Sequence, residues 1–366
     1  MFVQVGIDAT PLLGRRTGIG TYVQHLVAGL AARPGEVRLR ATAFTVRGGG
    51  PPADLPAGTG WRHLPVPARL SRRAWRAGLP LPAALFAGRT DVFHGTNFVL
   101  PPVPGGAGVL TVHDLTYLRH PDWVDAASLE LTELVPRGLR HAARVLTPSA
   151  AVAAELADAY PHVADRTIAT PLGVDPGWAA AVPASPGELA ALGLPPEYVL
   201  AVGTLEPRKG LDVLIAAHAA ARREDPSVPP LVLVGPQGWG AGTHGADPGV
   251  VLPGYLDAAV LPSVVAAASV FAFPSRYEGF GLPPLEALAA GAPVIASDLP
   301  VTREVLGGHA LFVPPGDPEA LAAALLSTLT DPPGPAATAA VRRHALGRTW
   351  DDCVARTLTA YREAAS

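Results

Sequence analysis

The chain is 366 residues long, with 28 Lys and Arg against 31 Asp and Glu, and it is 49% hydrophobic and 16% charged. That length accommodates two domains of ordinary size, each with its own core, and the composition excludes a disordered chain. A net charge of −3 offers nucleic acid no global field, and the single cysteine, Cys353, excludes an internal disulfide and a cysteine metal cluster.

In chain order, MFVQVGIDAT lacks a basic n-region and reads as a first strand over residues 2–8; with the lone thiol this suits a reducing cytoplasm. The loop after it carries Thr17, Gly18, Ile19 and Gly20, with Thr17 or Thr21 as candidate cap of the next helix. Gly18 and Gly20 allow close backbone approach to a phosphate or sugar. This is a strand, glycine-rich loop and helix, the opening of a Rossmann-like unit. A nicotinamide site is rejected: Val23 stands where the fingerprint needs a third small residue, and LRATAFTV offers no acid at the end of the second strand.

Residues 47–68 are rich in Gly and Pro and read as a loop. ARLSRRAWRAG follows, a basic helix with Arg69, Arg72, Arg73 and Arg76 around Trp75. It reads as a solvated face, or as a surface for an anionic membrane or acceptor. Strands are expected at Asp91–His94, leading to a polar loop with Asn97, and at Val109–Val112, ending in His113 and Asp114. The carboxyl ends of strands in open α/β sheets are where ligands bind, which makes His113 a candidate. TIATPLGVDPGW reads as a short strand, and the Pro/Gly-rich stretch after it, to about Leu194, as the interdomain linker.

The second half repeats the rhythm. A strand over Tyr198–Val202 runs into Gly203, Thr204 and the segment EPRKG, with Arg208, Lys209 and Gly210 leading into a helix. Of the 28 basic residues only Lys209 is lysine. A chain that uses arginine nearly everywhere keeps a lysine where the compact ammonium is needed, as on a phosphate. A short strand before GYL, a helix, and a buried strand over Val270–Phe273 follow; Pro262 and Pro274 break the uncharged run from Ala258 to Ser275, which therefore is no membrane span. Next come Glu278, the triplet Gly279-Phe280-Gly281, Leu282 and two prolines at the first turn of a helix that stops at Gly291. Open backbone amides at that helix start favour an anion. Glu278 and Glu286 beside it suit hydroxyls, since ionised carboxylates only accept. Phosphates flanked by polyols describe a nucleotide sugar. The tail, residues 350–366, is an amphipathic helix.

The E-x7-E spacing of Glu278 and Glu286 within EGFGLPPLEALAAGAPVIAS resembles the donor-site signature of the retaining GT-B glycosyltransferases of family GT4. The resemblance covers nearly the whole chain and is strongest over residues 198–320. It implies an α/β protein of two Rossmann-like domains facing a central cleft: an acceptor domain over 1–180, a donor domain over 181–349, and the helix 350–366 crossing back onto the first.

It further implies His113, Arg208, Lys209 and Glu278 as catalytic residues. Gly18, Gly20, Gly203, Thr204, Phe280, Gly281, Leu282 and Glu286 are implied to bind the donor, Glu286 through the ribose and backbone amides at 280–282 near sugar and phosphate. Thr204 departs from the family pattern, which often has arginine there. The implied reaction is metal-independent, needs no cofactor, and moves a hexose, with GDP-mannose or a deoxysugar nucleotide favoured, to a glycan or lipid-linked acceptor in polysaccharide synthesis. A cytoplasmic location is expected, with peripheral membrane contact left open. A GT-B epimerase and an inactive GT-B partner protein are the alternatives; a phosphorylase would need its cofactor on Lys209, which the phosphate claims.

Overall fold

The computed structural model describes residues 2–14, 17–46, 50–238 and 249–366. The expected loop positions 47–49 and Trp239 of LVLVGPQGW lie outside the described residues. The chain divides into two compact units, residues 1–173 with 350–366, and residues 174–349.

The first unit is built on seven strands: β1 Val3–Asp8, β2 Val37–Thr42, β3 Gly60–Trp61, β4 Val92–Gly95, β5 Ala107–Thr111, β6 Ala142–Thr147 and β7 Thr167–Ala169. They form one sheet in the order β3-β2-β1-β4-β5-β6-β7, every pairing parallel. Parallel sheets are covered on both faces, so their strands read as apolar runs rather than alternating ones. Val5, Ile7, Val92, Phe93, Val109, Leu110, Val145 and Leu146 are accordingly all buried.

The second unit holds β8 Val199–Val202, β9 Leu231–Val234, β10 Val250–Gly254, β11 Val270–Phe273, β12 Val294–Ser297 and β13 Leu311–Val313. Their order is β10-β9-β8-β11-β12-β13, again all parallel. In each sheet the order reverses beside the first strand of the unit, between β1 and β4 and between β8 and β11. Such a switch point leaves a crevice at the carboxyl ends of the two strands, where open α/β sheets bind ligands.

The helix Trp350–Ala365 belongs to the first unit. It lies on the helix Gly18–Ala31, where a side chain at Gly29 would press on Val354 at 2.6 Å. Tyr361 is fully buried, and its hydroxyl is 2.7 Å from His94 Nδ1. His94 Nε2 is 2.7 Å from the Thr111 hydroxyl, which meets Tyr22 Oη at 3.1 Å. Burial pulls the His94 imidazole down to about 3, so the ring is neutral and the network carries no charge.

Three local readings change. Thr17 occupies the cap position of its helix, but its side chain makes no capping bond; Thr21 Oγ1 instead bonds back to the Thr17 carbonyl at 3.2 Å. The stretch read as a linker contains the helix Pro186–Ala191, because Ser185 and Glu188 form a reciprocal capping box that the Pro/Gly count obscures. In the basic helix Ala68–Arg76, Trp75 is buried against Phe44 and Phe86, Arg76 pairs with Glu130 and Glu133, and Arg72 pairs with Glu130. The aromatic side chain therefore belongs to the core, and Arg69, Leu70 and Arg73 are what that helix exposes. Among the described residues no helix is long and apolar enough to cross a membrane.

Candidate active site

Two loops at the switch point of the second sheet build the site. The first leaves β8 through Gly203 and turns through the short helix Pro207–Lys209. The second leaves β11 through Pro274 and enters the helix Leu282–Ala290. That helix starts one turn earlier than the run of good helix formers suggests, because the first-turn positions tolerate Pro283 and Pro284.

The loops are laced together by backbone. Arg276 N donates to the Arg208 carbonyl at 2.8 Å, and Arg276 Nη1 donates to the Pro207 carbonyl at 2.8 Å. Gly210 is left-handed (φ 63°), and a Cβ there would overlap the Pro274 carbonyl oxygen. Gly210→Ala is thus expected to cost about 1 kcal/mol in backbone conformation alone, plus whatever is lost by parting the loops. The same variant should weaken catalysis by displacing Arg208 and Lys209. Denaturant unfolding and a rate measurement on one preparation check this, and an unaltered enzyme would refute the lacing.

Between the loops lies a buried ionic cluster. Arg208 donates from Nε and Nη2 to Glu206 Oε1 at 3.0 and 2.7 Å, and from Nη1 to Glu278 Oε2 at 2.7 Å. Lys209 Nζ donates to Glu278 Oε1 at 2.6 Å, where Ser275 Oγ also donates at 2.8 Å. Both glutamates are buried. Burial alone would raise the Glu278 carboxyl, but the Arg208 and Lys209 charges and the Lys209 and Ser275 hydrogen bonds outweigh it and bring it down to about 2. The cluster is two cations and two anions, so the positive charge is matched inside the protein. Lys209 Nζ also stands 5.4 Å from the centre of the Phe273 ring.

Around this cluster, Gly203, Thr204, Lys209, Phe273 and Ser275 line one small pocket. Gly281 is left-handed (φ 93°) and caps the helix, while Phe280 and Leu282 are buried. Among the described residues no acceptor takes the amides of Phe280, Gly281 or Leu282. A helix start in that state attracts an anion.

Glu286, one helical turn and more along, is half-buried and has no hydrogen-bond donor among the described residues. Burial, then the nearby Asp175 charge, push its carboxyl up to about 8. The folded protein therefore holds a proton that the unfolded chain releases near 4.5. The resulting stabilisation is complete below that lower value and is lost as pH rises through about 8. Wild-type protein is expected to lose about 5 kcal/mol over that window relative to Glu286→Gln, which has no proton to give up. Parallel pH–stability curves for the two proteins would contradict the assignment.

The remaining candidates lie in the first unit. His113, two residues past β5, is buried, with its ring edge-on to Tyr22 (5.3 Å) and Phe98 (5.4 Å). Its Nε2 lies 2.8 Å from the Thr96 carbonyl, which can only accept, so Nε2 carries the hydrogen. Burial lowers its pKa, which keeps the ring neutral and leaves Nδ1 as an acceptor. Gly18 and Gly20 sit in the first turn of their helix, and a Cβ at Gly18 would meet nothing within 4 Å. The second sheet thus unites Gly203, Thr204, Arg208, Lys209, Glu278, Phe280, Gly281, Leu282 and Glu286, and the first holds His113, Gly18 and Gly20. Sequence reasoning gave no role to Glu206, Ser275 or Asp175. The acid two places before Arg208 was the visible signal for the first; the other two depend on tertiary placement.

Comparison with known proteins shows the family. Residues 196–331 match the family described as Glycosyl transferases group 1, and residues 16–178 match Glycosyltransferase Family 4. The chain is 32% identical over 289 residues to the O-antigen chain mannosyltransferase B of Escherichia coli, covering 74% of each. It is 34% identical over 239 residues to the D-inositol 3-phosphate glycosyltransferase of Kineococcus radiotolerans, covering 57% of this chain and 54% of that one. Among solved structures, WaaG, a glycosyltransferase involved in lipopolysaccharide biosynthesis, superimposes with a TM-score of 0.72 at 17% identity over 97% of this chain and 98% of that one. The Anabaena protein HepE, solved with UDP and glucose, gives 0.70 at 18% identity over 98% and 99%. With its two parallel sheets, its family matches and these relatives, the chain is a glycosyltransferase of the GT-B fold and belongs to the group 1, family 4 glycosyltransferases.

Proposed function

We propose that the protein transfers a hexose, mannose or a related deoxysugar, from a nucleotide diphosphate sugar to a glycan or lipid-linked acceptor with retention at the anomeric carbon. The observation that carries this is the Glu278–Arg208–Lys209 cluster beside the open amides of residues 280–282. A diphosphate bound there meets two cations and a helix start, and hydroxyls meet Glu278 and Glu286. The mannosyl reading draws on the Escherichia coli relatives, O-antigen chain mannosyltransferase B and the serotype-specific mannosyltransferase WbdA. The lipid-linked reading, and peripheral contact at the inner membrane face, draw on the exposed Arg69, Leu70, Arg73 and Leu79.

In this mechanism the bond from the anomeric carbon to the phosphate oxygen breaks, and the bond to the acceptor oxygen forms on the same face. The acceptor proton passes to the departing phosphate oxygen. Arg208 and Lys209, rather than a metal, stabilise the charge that develops on the diphosphate. His113, neutral and fixed by Thr96, accepts a hydroxyl hydrogen through Nδ1. Glu278 enters with its charge already compensated, so it can orient a hydroxyl without repelling the phosphates.

The test is incubation of the protein with GDP-mannose and methyl α-mannoside. Release of GDP only when the mannoside is present, with an α-linked product by NMR and no loss on chelation, is the expected result. GDP release independent of any acceptor favours a GT-B epimerase, and a β-linked product contradicts retention.

A further inference from the structure

A row of buried polar side chains crosses the first unit and ends on His113. The Tyr361 hydroxyl lies 2.7 Å from His94 Nδ1, His94 Nε2 lies 2.7 Å from Thr111 Oγ1, and Thr111 Oγ1 lies 3.1 Å from the Tyr22 hydroxyl. The Tyr22 ring then meets the His113 ring edge-on, at 5.3 Å and 79°. Four separate elements contribute. Tyr361 comes from the helix Trp350–Ala365, His94 from β4, Thr111 from the end of β5 and Tyr22 from the helix Gly18–Ala31. All four side chains belong to residues that are 2% exposed or less.

Core packing alone does not ask for this arrangement. Apolar side chains of the same shape would fill the space, and replacing both partners of a buried hydrogen bond in that way is close to neutral. What a partnered polar row adds is uniqueness, since turning any member leaves a buried group bare. The row has one direction at a time: a neutral imidazole gives a hydrogen through one nitrogen and takes one through the other. Burial pushes both phenols up, so each keeps its proton. Tyr22 is thereby fixed at its hydroxyl end as well as along its ring.

The position of His113 gives that fixing a use. β4 and β5, with the two residues that follow each, are cross-connected twice: His94 Nε2 meets Thr111 Oγ1, and His113 Nε2 donates to the Thr96 carbonyl at 2.8 Å. Turning the His113 ring over would put carbon where Nδ1 stands and would break the bond to Thr96. Three contacts oppose this: the Thr96 carbonyl, the Tyr22 ring and the Phe98 ring at 5.4 Å. Of these, Tyr22 is tied through Thr111 and His94 to the last helix, more than 300 residues along the chain.

We propose that Tyr361, His94 and Thr111 are positioning residues for His113, acting through Tyr22. They hold the imidazole in the orientation that offers Nδ1 to a hydroxyl, and their effect passes through Tyr22 rather than through substrate. What His113 is used for rests on the transferase reading above; how it is held does not.

The test uses full-length wild-type, Tyr22→Phe, Thr111→Val and Tyr361→Phe proteins, each variant losing one hydroxyl and little shape, and the double variant Tyr22→Phe with Tyr361→Phe. Tyr22→Phe removes only the terminal hydroxyl of the row and serves alone if a deeper change prevents folding. Long-range proton–nitrogen NMR of the histidine rings reports the tautomer and order of His113. The wild type is expected to show His113 as a single Nε2–H form, and each variant a second or broadened set of His113 signals. With GDP-mannose and methyl α-mannoside, kcat should fall about tenfold in each single variant. KM for GDP-mannose, and the shift that GDP gives the unfolding midpoint, should stay as in the wild type. Because both tyrosines act through one row, the double variant should also stand about tenfold down, where independent effects would give about a hundredfold. His113 signals and kcat equal to wild type in the single variants, whatever their unfolding midpoints, would overturn the proposal, as would multiplied losses in the double variant. His113 signals that respond in a protein with no turnover keep the positioning and remove the transferase reading.

Discussion

Replacing Lys209 with alanine is expected to lower transfer on the order of a thousandfold while the protein remains folded. The ammonium is 2.6 Å from Glu278 Oε1 and is the only lysine in a chain otherwise served by arginine. Two features make that compact charge hard to replace. The lysine stem passes within 3.5 Å of where a Cβ on Gly203 would stand, and the Phe273 ring lies beside its tip. A planar guanidinium needs more room and brings a different fork of donors. Lys209→Arg is therefore expected to recover little of the lost rate.

The stability cost should be moderate. Removing one partner of a buried ion pair costs about 3–5 kcal/mol when the other is left bare. Here Glu278 keeps Arg208 and Ser275, so about 2 kcal/mol is the better expectation. Glu278→Ala is the harsher change, because it leaves two cations facing each other. For that residue a fall in stability accompanies any fall in turnover, and Glu278→Gln separates the two effects more cleanly. Steady-state rates and denaturant midpoints measured together decide the matter. Lys209→Ala with full activity would remove the cluster from the mechanism.

The second large effect is structural. Tyr361→Ala is expected to destabilise the first unit by about 3–5 kcal/mol through the lost aromatic packing, with a further 1–3 kcal/mol because His94 Nδ1 loses its partner. Tyr361→Phe keeps the packing and should cost only the second, smaller share. Deleting residues 350–366 should prevent that unit from folding, since the helix also carries Cys353, Val354 and Leu358 into the core. It further supplies Asp351 and Glu363 to ion pairs with Arg33 and Arg144. A truncated protein with an unchanged unfolding transition would contradict this.

Much of this was legible in the sequence, and the reason differs from place to place. Alternation of apolar runs with amphipathic helices announces parallel sheets, because both faces of such strands are buried. Residues 270–291 are readable because glycine and proline are tied to particular backbone states: left-handed Gly291 ends the helix where the sequence placed its end, and left-handed Gly281 marks its start one turn before the expected one. The buried side of the basic helix was not legible because a sequence does not say which face of Trp75 is covered, and Glu130 and Glu133 lie far along the chain.

The site divides in the same way. Arg208, Lys209 and Glu278 stand in recognisable local patterns. Their neutralisation by Glu206, and the opposition of Asp175 to Glu286, depend on which loops the sheet order brings together.

The central claim is that a nucleotide diphosphate binds the second unit on Arg208 and Lys209. Thermal unfolding with GDP, UDP, dTDP and ADP, in wild-type and Lys209→Ala proteins, tests it most directly. A ligand present at a hundred times its dissociation constant stabilises the folded state by about 2.7 kcal/mol, a readily visible shift. The predicted result is one clear winner, GDP by the mannosyl reading, whose shift disappears in Lys209→Ala. No shift with any of the four, or a shift that survives the loss of Lys209, would contradict the account.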